Sequence, residues 1–182
     1  MRITTSSEAM KAAIEGLGSN AAFQETVKLI ADGQAPHDMV QAMAAHPPLL
    51  KAMEAMGEGV YPGGSLPREL KELVILQSSI ANACQFCTKS HIDIARSLGM
   101  GGDPVGMLES PDSMSEAFQA ALEYAEAVRT DSNRIGDAQF ESLQAHYSDA
   151  QIVELTFLVG YINMLNWFNN ALQVEYRGEL SS

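Results

Sequence analysis

The chain is 182 residues long and 46% apolar, and its 23 acidic against 11 basic residues give a formal charge of −12. That length suits one domain with a sizeable core. The acidity excludes a general nucleic-acid binder, which needs a basic face to displace counterions, and disfavours attraction to anionic membranes.

Alternating β-branched runs are absent while Ala, Leu, Met, Glu and Gln abound, so the expected fold class is all-α. Ser19 or Asn20 can cap a helix carrying Phe23, Val27 and Ile30 that ends near Gly33. Pro36 can open a second helix through Met39, Val40 and Met43, which His46-Pro47-Pro48 stops. Leu49 to Met56 reads as a short helix before a loop from Gly57 to Ser65. Pro67 suits a first helical position, and Leu70, Leu73, Val74 and Gln77 lead on to Ile80. The next helix runs from about Cys84 to Leu98 and stops at Gly99, before a loop at Gly101-Gly102-Asp103-Pro104.

Ser113-Met-Ser-Glu116 fits a capping box that opens a helix through Phe118, Leu122 and Val128, ending at Asp131-Ser-Asn133. A shorter helix covers Asp137 to His146. Ser148-Asp-Ala-Gln151, another capping box, opens a long helix carrying Ile152, Leu155, Leu158, Val159 and Ile162. Its apolar-rich run to Leu165 includes Glu154, Thr156 and Asn163 and is too short to span a bilayer. Gly178 to Ser182 reads as frayed. The N-terminus lacks the apolar core of a secretory signal, so a cytoplasmic location is expected. Shifted by 82 residues, Glu72-Leu73 falls on Glu154-Leu155, and Cys84, Cys87 and His91 fall on Asn166, Asn169 and Gln173. An internal duplication whose reactive groups became amides would leave this pattern.

The chemistry concentrates in Glu72, Cys84, Cys87 and His91, which include both cysteines of the chain. On a helix turning about 100° per residue, Cys84, Cys87 and His91 fall within about 60° of one face. In one unbroken helix Glu72 would stand about 18 Å from Cys84 along the axis, so a break is expected at Ala81-Asn82-Ala83. Unpaired N–H groups at a helix start favour a thiolate, and a histidine there can exchange a proton near neutral pH. A carboxylate can orient that histidine, and two thiols can complete a redox cycle through a sulfenic acid and a disulfide. The same groups, with Glu72 or water as fourth ligand, could instead hold zinc, or the cysteines could be inert packing. His37, His46 and His146 read as ordinary, the methionines as core filler, and Trp167-Phe168 as part of a core or subunit interface.

The segments Ser65-Leu-Pro-Arg-Glu-Leu-Lys-Glu72, Asn82-Ala-Cys-Gln-Phe-Cys87, Ser90-His91 and Ala95-Arg-Ser-Leu-Gly99 resemble the alkylhydroperoxidase AhpD-like branch of the carboxymuconolactone decarboxylase family. The specific resemblance covers Leu66 to Gly99; a looser one reaches Asn163, Asn166 and His46-Pro-Pro-Leu-Leu50. It implies an AhpD-like helical bundle, often internally duplicated, that forms a homo-oligomer. The expected organisation is one domain over 1–182, with 1–60 as a helical extension and 66–175 as the core. It also implies a peroxidase that needs no cofactor or metal and reduces a hydroperoxide at the expense of a thiol or dithiol reductant. Cys87 would attack the peroxide, Cys84 would resolve, and Glu72 and His91 would relay protons. Some relatives carry a histidine just before the second cysteine, where this chain has Phe86. Decarboxylase members lack the cysteine pair, so lactone decarboxylation fits poorly.

Overall fold

Every α or β element among the described residues of the computed structural model, which are 1–15, 17, 28, 32 and 34–178, is a helix. The helix expected between Ser19 and Gly33 and the tail from 179 onward lie outside them. In chain order the helices are α1 (Ser7–Glu15), α2 (Asp38–Ala44), α3 (Pro47–Gly59), α4 (Arg68–Ala81) and α5 (Gln85–Ser97). They continue with α6 (Pro104–Glu109), α7 (Glu116–Asp131), α8 (Asp137–Gln144) and α9 (Asp149–Leu172). None of them is long and apolar enough to cross a membrane.

Four boundaries differ from the sequence reading. Pro36 lies outside α2, which begins at Asp38 behind His37. The pair Pro47-Pro48 does end α2, but it also opens α3, which runs on to Gly59. Proline lacks an N–H where the first turn needs none, and the ring of His46 accepts the Leu49 N–H. Pro104 likewise opens α6 behind the cap Asp103, a helix the expected loop did not contain. The cap of α7 is Ser115, whose hydroxyl accepts the Phe118 N–H, and Ser113 ends a short 3₁₀ turn before it. The Ser148 capping box is present in both halves.

Helix α4 is buried on nearly every side, which forces its polar residues to find partners. Leu70, Leu73, Val74 and Ile75 pack with Leu155, Leu158, Val159 and Ile162 of α9 and with Ala121, Leu122 and Ala125 of α7. Lys71 and Glu72, adjacent on α4, are both buried. Lys71 Nζ meets Glu154 Oε1 of α9 at 2.5 Å and donates to the carbonyls of Val60, at 2.9 Å, and Gly63. Glu154 Oε2 accepts the Ser65 N–H and hydroxyl, each at 2.7 Å. This ion pair therefore clamps the loop between α3 and α4. Gly64 has φ +92°, and a Cβ there would stand 2.2 Å from the Glu154 carboxylate. The loop carries Tyr61, whose position follows from this clamp.

Helix α4 ends at Ala81, and Ala83 turns the chain in the left-handed region at φ +52°. Amides of α9 hold the turn. Asn82 Nδ2 donates to Asn163 and Asn166 Oδ1 at 2.6 and 2.9 Å, and Asn170 Nδ2 donates to the Asn82 carbonyl at 2.9 Å. The 82-residue shift would place a matching break inside α9, but α9 is unbroken there. Trp167 stands 64% exposed and Phe168 is half-buried, so of the two expected positions, core or subunit interface, the core does not hold for the tryptophan.

A left-handed alanine carries a Cβ clash that glycine lacks, offset in part by glycine's larger unfolded entropy. Ala83→Gly is expected to raise stability by about 0.5–1 kcal/mol in urea unfolding. A destabilised variant would mean that the turn does not need its left-handed form in solution.

Candidate active site

The break does what the spacing argument required. Cys84 becomes the N-cap of α5, its sulfur accepting the Cys87 N–H at 3.3 Å, and Cys87 lies in the first turn. Their Cα atoms are 5.4 Å apart and the sulfurs are joined as a disulfide. His91, one turn further on, points its Nδ1 at Glu72 Oε2, 2.7 Å away. Glu72 and His91 are thus in contact, Cys84 and Cys87 are bonded to each other, and Cys87 and His91 line one cavity.

Glu72 is fully buried and surrounded by donors. Tyr61 donates its hydroxyl hydrogen to Oε1 at 2.7 Å, and Arg68 Nε donates to the same oxygen at 2.8 Å. Arg68 also donates to the Tyr61 oxygen at 2.6 Å, and its guanidinium lies 4.0 Å over the Tyr61 ring centre. His91 Nδ1 is 3.2 Å from that oxygen, with the two rings edge to face. The Tyr61 hydroxyl hydrogen and Arg68 both point at Glu72, so Nδ1 is the histidine nitrogen that carries hydrogen toward the carboxylate. The other nitrogen, Nε2, is left for proton exchange.

The charges follow from this shell. Burial works to raise the Glu72 carboxyl, but the charge and hydrogen bond of His91, then Arg68 and Tyr61, outweigh it and hold it below the usual carboxylate range. Burial, and next the Glu72 charge, push the Tyr61 phenol well above its ordinary value, so it stays a neutral donor.

Cys87, His91 and Tyr61 open on a cavity of about 180 Å³. Its walls are mainly apolar and include Met43, Met53, Ile75, Phe86, Ile162 and Leu165. His37, read as ordinary from the sequence, also lines it. Cys84 is fully buried and does not line it. After α9 the chain turns at Gln173 (φ +52°) and lays Val174 against Cys84, Phe86 and Cys87. The Phe86 ring packs edge-on to Tyr176, whose hydroxyl donates to Asp93 at 2.6 Å. Phe86 is therefore part of an apolar cover over the cysteines.

Three contributors were missed in the sequence. Arg68 stands four residues before Glu72, the spacing of a helical ion pair, and that signal was available. Tyr61 lies in a turn-rich loop and gave no signal. Asn169, whose Nδ2 donates to the Cys87 sulfur at 3.2 Å, appeared only as the position that the 82-residue shift places on Cys87. Among the described residues no group of three or more His, Cys, Asp or Glu is arranged to hold a metal. Glu72, the fourth ligand of the zinc reading, is turned to Tyr61, Arg68 and His91.

The profile of the carboxymuconolactone decarboxylase family matches residues 47–127. The uncharacterized protein YdfG of Bacillus subtilis is 30% identical over 112 residues, which span 59% of this chain and 76% of the relative. Among solved structures, ATU0492 of Agrobacterium tumefaciens, a protein of unknown function for which an AhpD antioxidant-defence role has been suggested, superposes with a TM-score of 0.65 at 28% identity, covering 74% of this chain and 94% of that one. The debrominase Bmp8 shares the fold, with a TM-score of 0.69 at 21% identity over 94% of this chain and 88% of its own.

Glu72 and Glu154 both have carboxyls held below the usual range. At Glu154 burial works upward, but Lys71 and the Ser65 donors prevail. A depressed carboxyl contributes stability above the unfolded value of about 4.3, and that contribution is lost as pH falls toward the folded value. The melting temperature is therefore expected to drop between about pH 5 and pH 3. Glu72→Gln and Glu154→Gln should each flatten that slope while lowering stability at neutral pH. Melting curves against pH check this, and an unchanged slope in both variants would refute it.

Proposed function

Since the chain belongs to the carboxymuconolactone decarboxylase family, with an AhpD-like all-helical fold, we propose that it is a thiol-dependent peroxidase working through Cys84 and Cys87. The observation that carries this reading is the placement of Cys87 and a carboxylate-held His91 on the wall of one apolar cavity. A helix start lowers the energy of the Cys87 thiolate. That thiolate attacks the hydroxyl oxygen of a hydroperoxide, and the O–O bond breaks. The alkoxide leaves and takes a proton from His91, while Cys87 becomes a sulfenic acid. Cys84 sulfur then bonds to Cys87 sulfur and water departs with the hydroxyl and a proton. The peroxide has been reduced by two electrons and the thiol pair oxidised by two; an external thiol or dithiol restores them, which suits a reducing compartment such as the cytoplasm.

Glu72 holds His91 in one tautomer and orientation, with Tyr61 and Arg68 fixing Glu72. The apolar walls favour an organic hydroperoxide over hydrogen peroxide. Because the debrominase Bmp8 shares the fold, removal of bromine from a brominated pyrrole is the second reading of the same cavity.

The assembly is read as a homo-oligomer. Along α9 the outward residues Val153, Phe157, Gly160, Met164 and Trp167 recur at alternating intervals of four and three, and none is charged. The series is nearly symmetric about Gly160, so an antiparallel second copy meets the same residues it presents. Adding the exposed parts of the four side chains gives roughly 400 Å² per copy. Doubled, and joined by neighbouring Phe140 and Met56, this approaches the lower bound for a specific interface of about 1,000 Å².

Reduced protein is expected to consume cumene hydroperoxide and lose both thiols to an intramolecular disulfide, with no bromide released from 2,3,4-tribromopyrrole. Cys84→Ser should still react once and stop at a sulfenic acid; Cys87→Ser should lose the fast reaction. His91→Ala and Glu72→Gln should slow it by about 10²–10⁴. Equal rates in all four variants would sink the peroxidase reading. Light scattering should show more than one copy, and Phe157→Glu with Trp167→Glu should shift it to the monomer; a parent that is already monomeric rules the α9 contact out.

A further inference from the structure

Asn169 stands on α9 where that helix forms one wall of the cavity, and it is 2% exposed. Its Nδ2 faces two sulfurs, Cys87 at 3.2 Å and Met39 at 3.6 Å. A thioether and a disulfide sulfur only accept hydrogen bonds, so the amide nitrogen, and not the carbonyl, is the branch that faces them. That carbonyl, Oδ1, is buried and has no hydrogen-bond partner among the described residues. A buried acceptor left unpaired is costly, and here it belongs to a residue lining the substrate cavity. A donor that arrives with the ligand would remove the cost.

We infer that Asn169 holds both reactants of the peroxide step, its N–H on the Cys87 sulfur and its carbonyl on the O–H of the incoming hydroperoxide. This rests on the peroxidase reading. A hydroperoxide carries one hydrogen on its terminal oxygen, and that oxygen is the atom the sulfur attacks. Tying the hydrogen to Oδ1 while Nδ2 holds the sulfur sets the two reacting atoms side by side. As the sulfur–oxygen bond forms and the O–O bond breaks, negative charge moves from sulfur to the leaving alkoxide, which takes its proton from His91. The amide gains and loses no proton. The hydrogen it held stays on the oxygen that becomes the sulfenic hydroxyl. In the reduced protein the Cys87 thiolate is a stronger acceptor than the disulfide sulfur, so the N–H contact gains strength where the nucleophile needs it.

The test uses the full-length protein with Cys84→Ser, which leaves Cys87 as the one thiol. Two measurements are made on this parent and on added Asn169→Ala or Asn169→Asp: the pH dependence of alkylation by iodoacetamide, and the rate with cumene hydroperoxide at a pH where the thiolate is complete. The other titratable groups facing the cavity, His37, Tyr61, His91, Tyr161 and Tyr176, with Glu72 behind His91, are common to all three proteins. Asn169→Ala is expected to raise the Cys87 pKa by about one unit, and Asn169→Asp, which replaces the donor by a carboxylate, to raise it further. With the thiolate complete, Asn169→Ala should react about 10- to 100-fold more slowly. The Asp side chain has nearly the shape of Asn, so it carries the test if the alanine variant melts early. An unchanged Cys87 pKa in both variants overturns the proposal, as does a shifted pKa with a full peroxide rate in Asn169→Ala. A parent that alkylates normally and ignores hydroperoxide overturns the peroxidase reading and the carbonyl's role with it, a result distinct from either of the others.

Discussion

A carboxylate shut away from water must be surrounded by hydrogen-bond donors, and Glu72 meets that demand with groups from three parts of the chain. Arg68 comes from its own helix, Tyr61 from the preceding loop and His91 from the following helix. Removing one of them leaves the charge under-solvated, which is the expensive outcome for a buried ion. The loop, α4 and α5 are therefore tied to one another at one point, and Tyr61 and His91 from that point line the cavity together with Cys87.

The neighbouring residue repeats the logic with opposite sign. Lys71 is as buried as Glu72 and faces Glu154 on α9, together with the Val60 and Gly63 carbonyls. Two adjacent residues of one helix thus anchor the same loop, Lys71 through the Val60 and Gly63 carbonyls and Glu72 through Tyr61. The Lys71 clamp fixes the loop, and the loop delivers Tyr61 to Glu72. The buried Lys71–Glu154 pair and the Glu72–His91 pair are thus joined through a few residues of loop backbone.

Much of this was legible in the chain, and the reasons for what was not are physical. Helix interiors were readable because apolar periodicity and absent β-branched runs leave little choice. The turn at Ala83 was deduced from distance alone, because Glu72 and His91 cannot meet along an unbroken helix. Proline starts were misjudged at Pro47 and Pro104, since the residue that ends one helix can begin the next. The partners of Lys71 and Glu72 could not be read, because which helix faces a buried charge depends on packing between distant segments. Tyr61 is the extreme case: a loop residue whose role exists only because a buried ion pair holds the loop.

Only one sulfur of the pair opens on the cavity; the other lies under Val174. On the peroxidase reading, oxidant and reductant then share a single doorway and must use it in turn. The kinetics that follow are ping-pong, with each substrate competing for the form of the protein that belongs to the other. A bulky reductant meets a further obstacle, since a cavity of about 180 Å³ suits small molecules and Val174 packs over the cysteines. On that reading, the burial of Cys84 orders the events and leaves Cys87 as the attacking thiol.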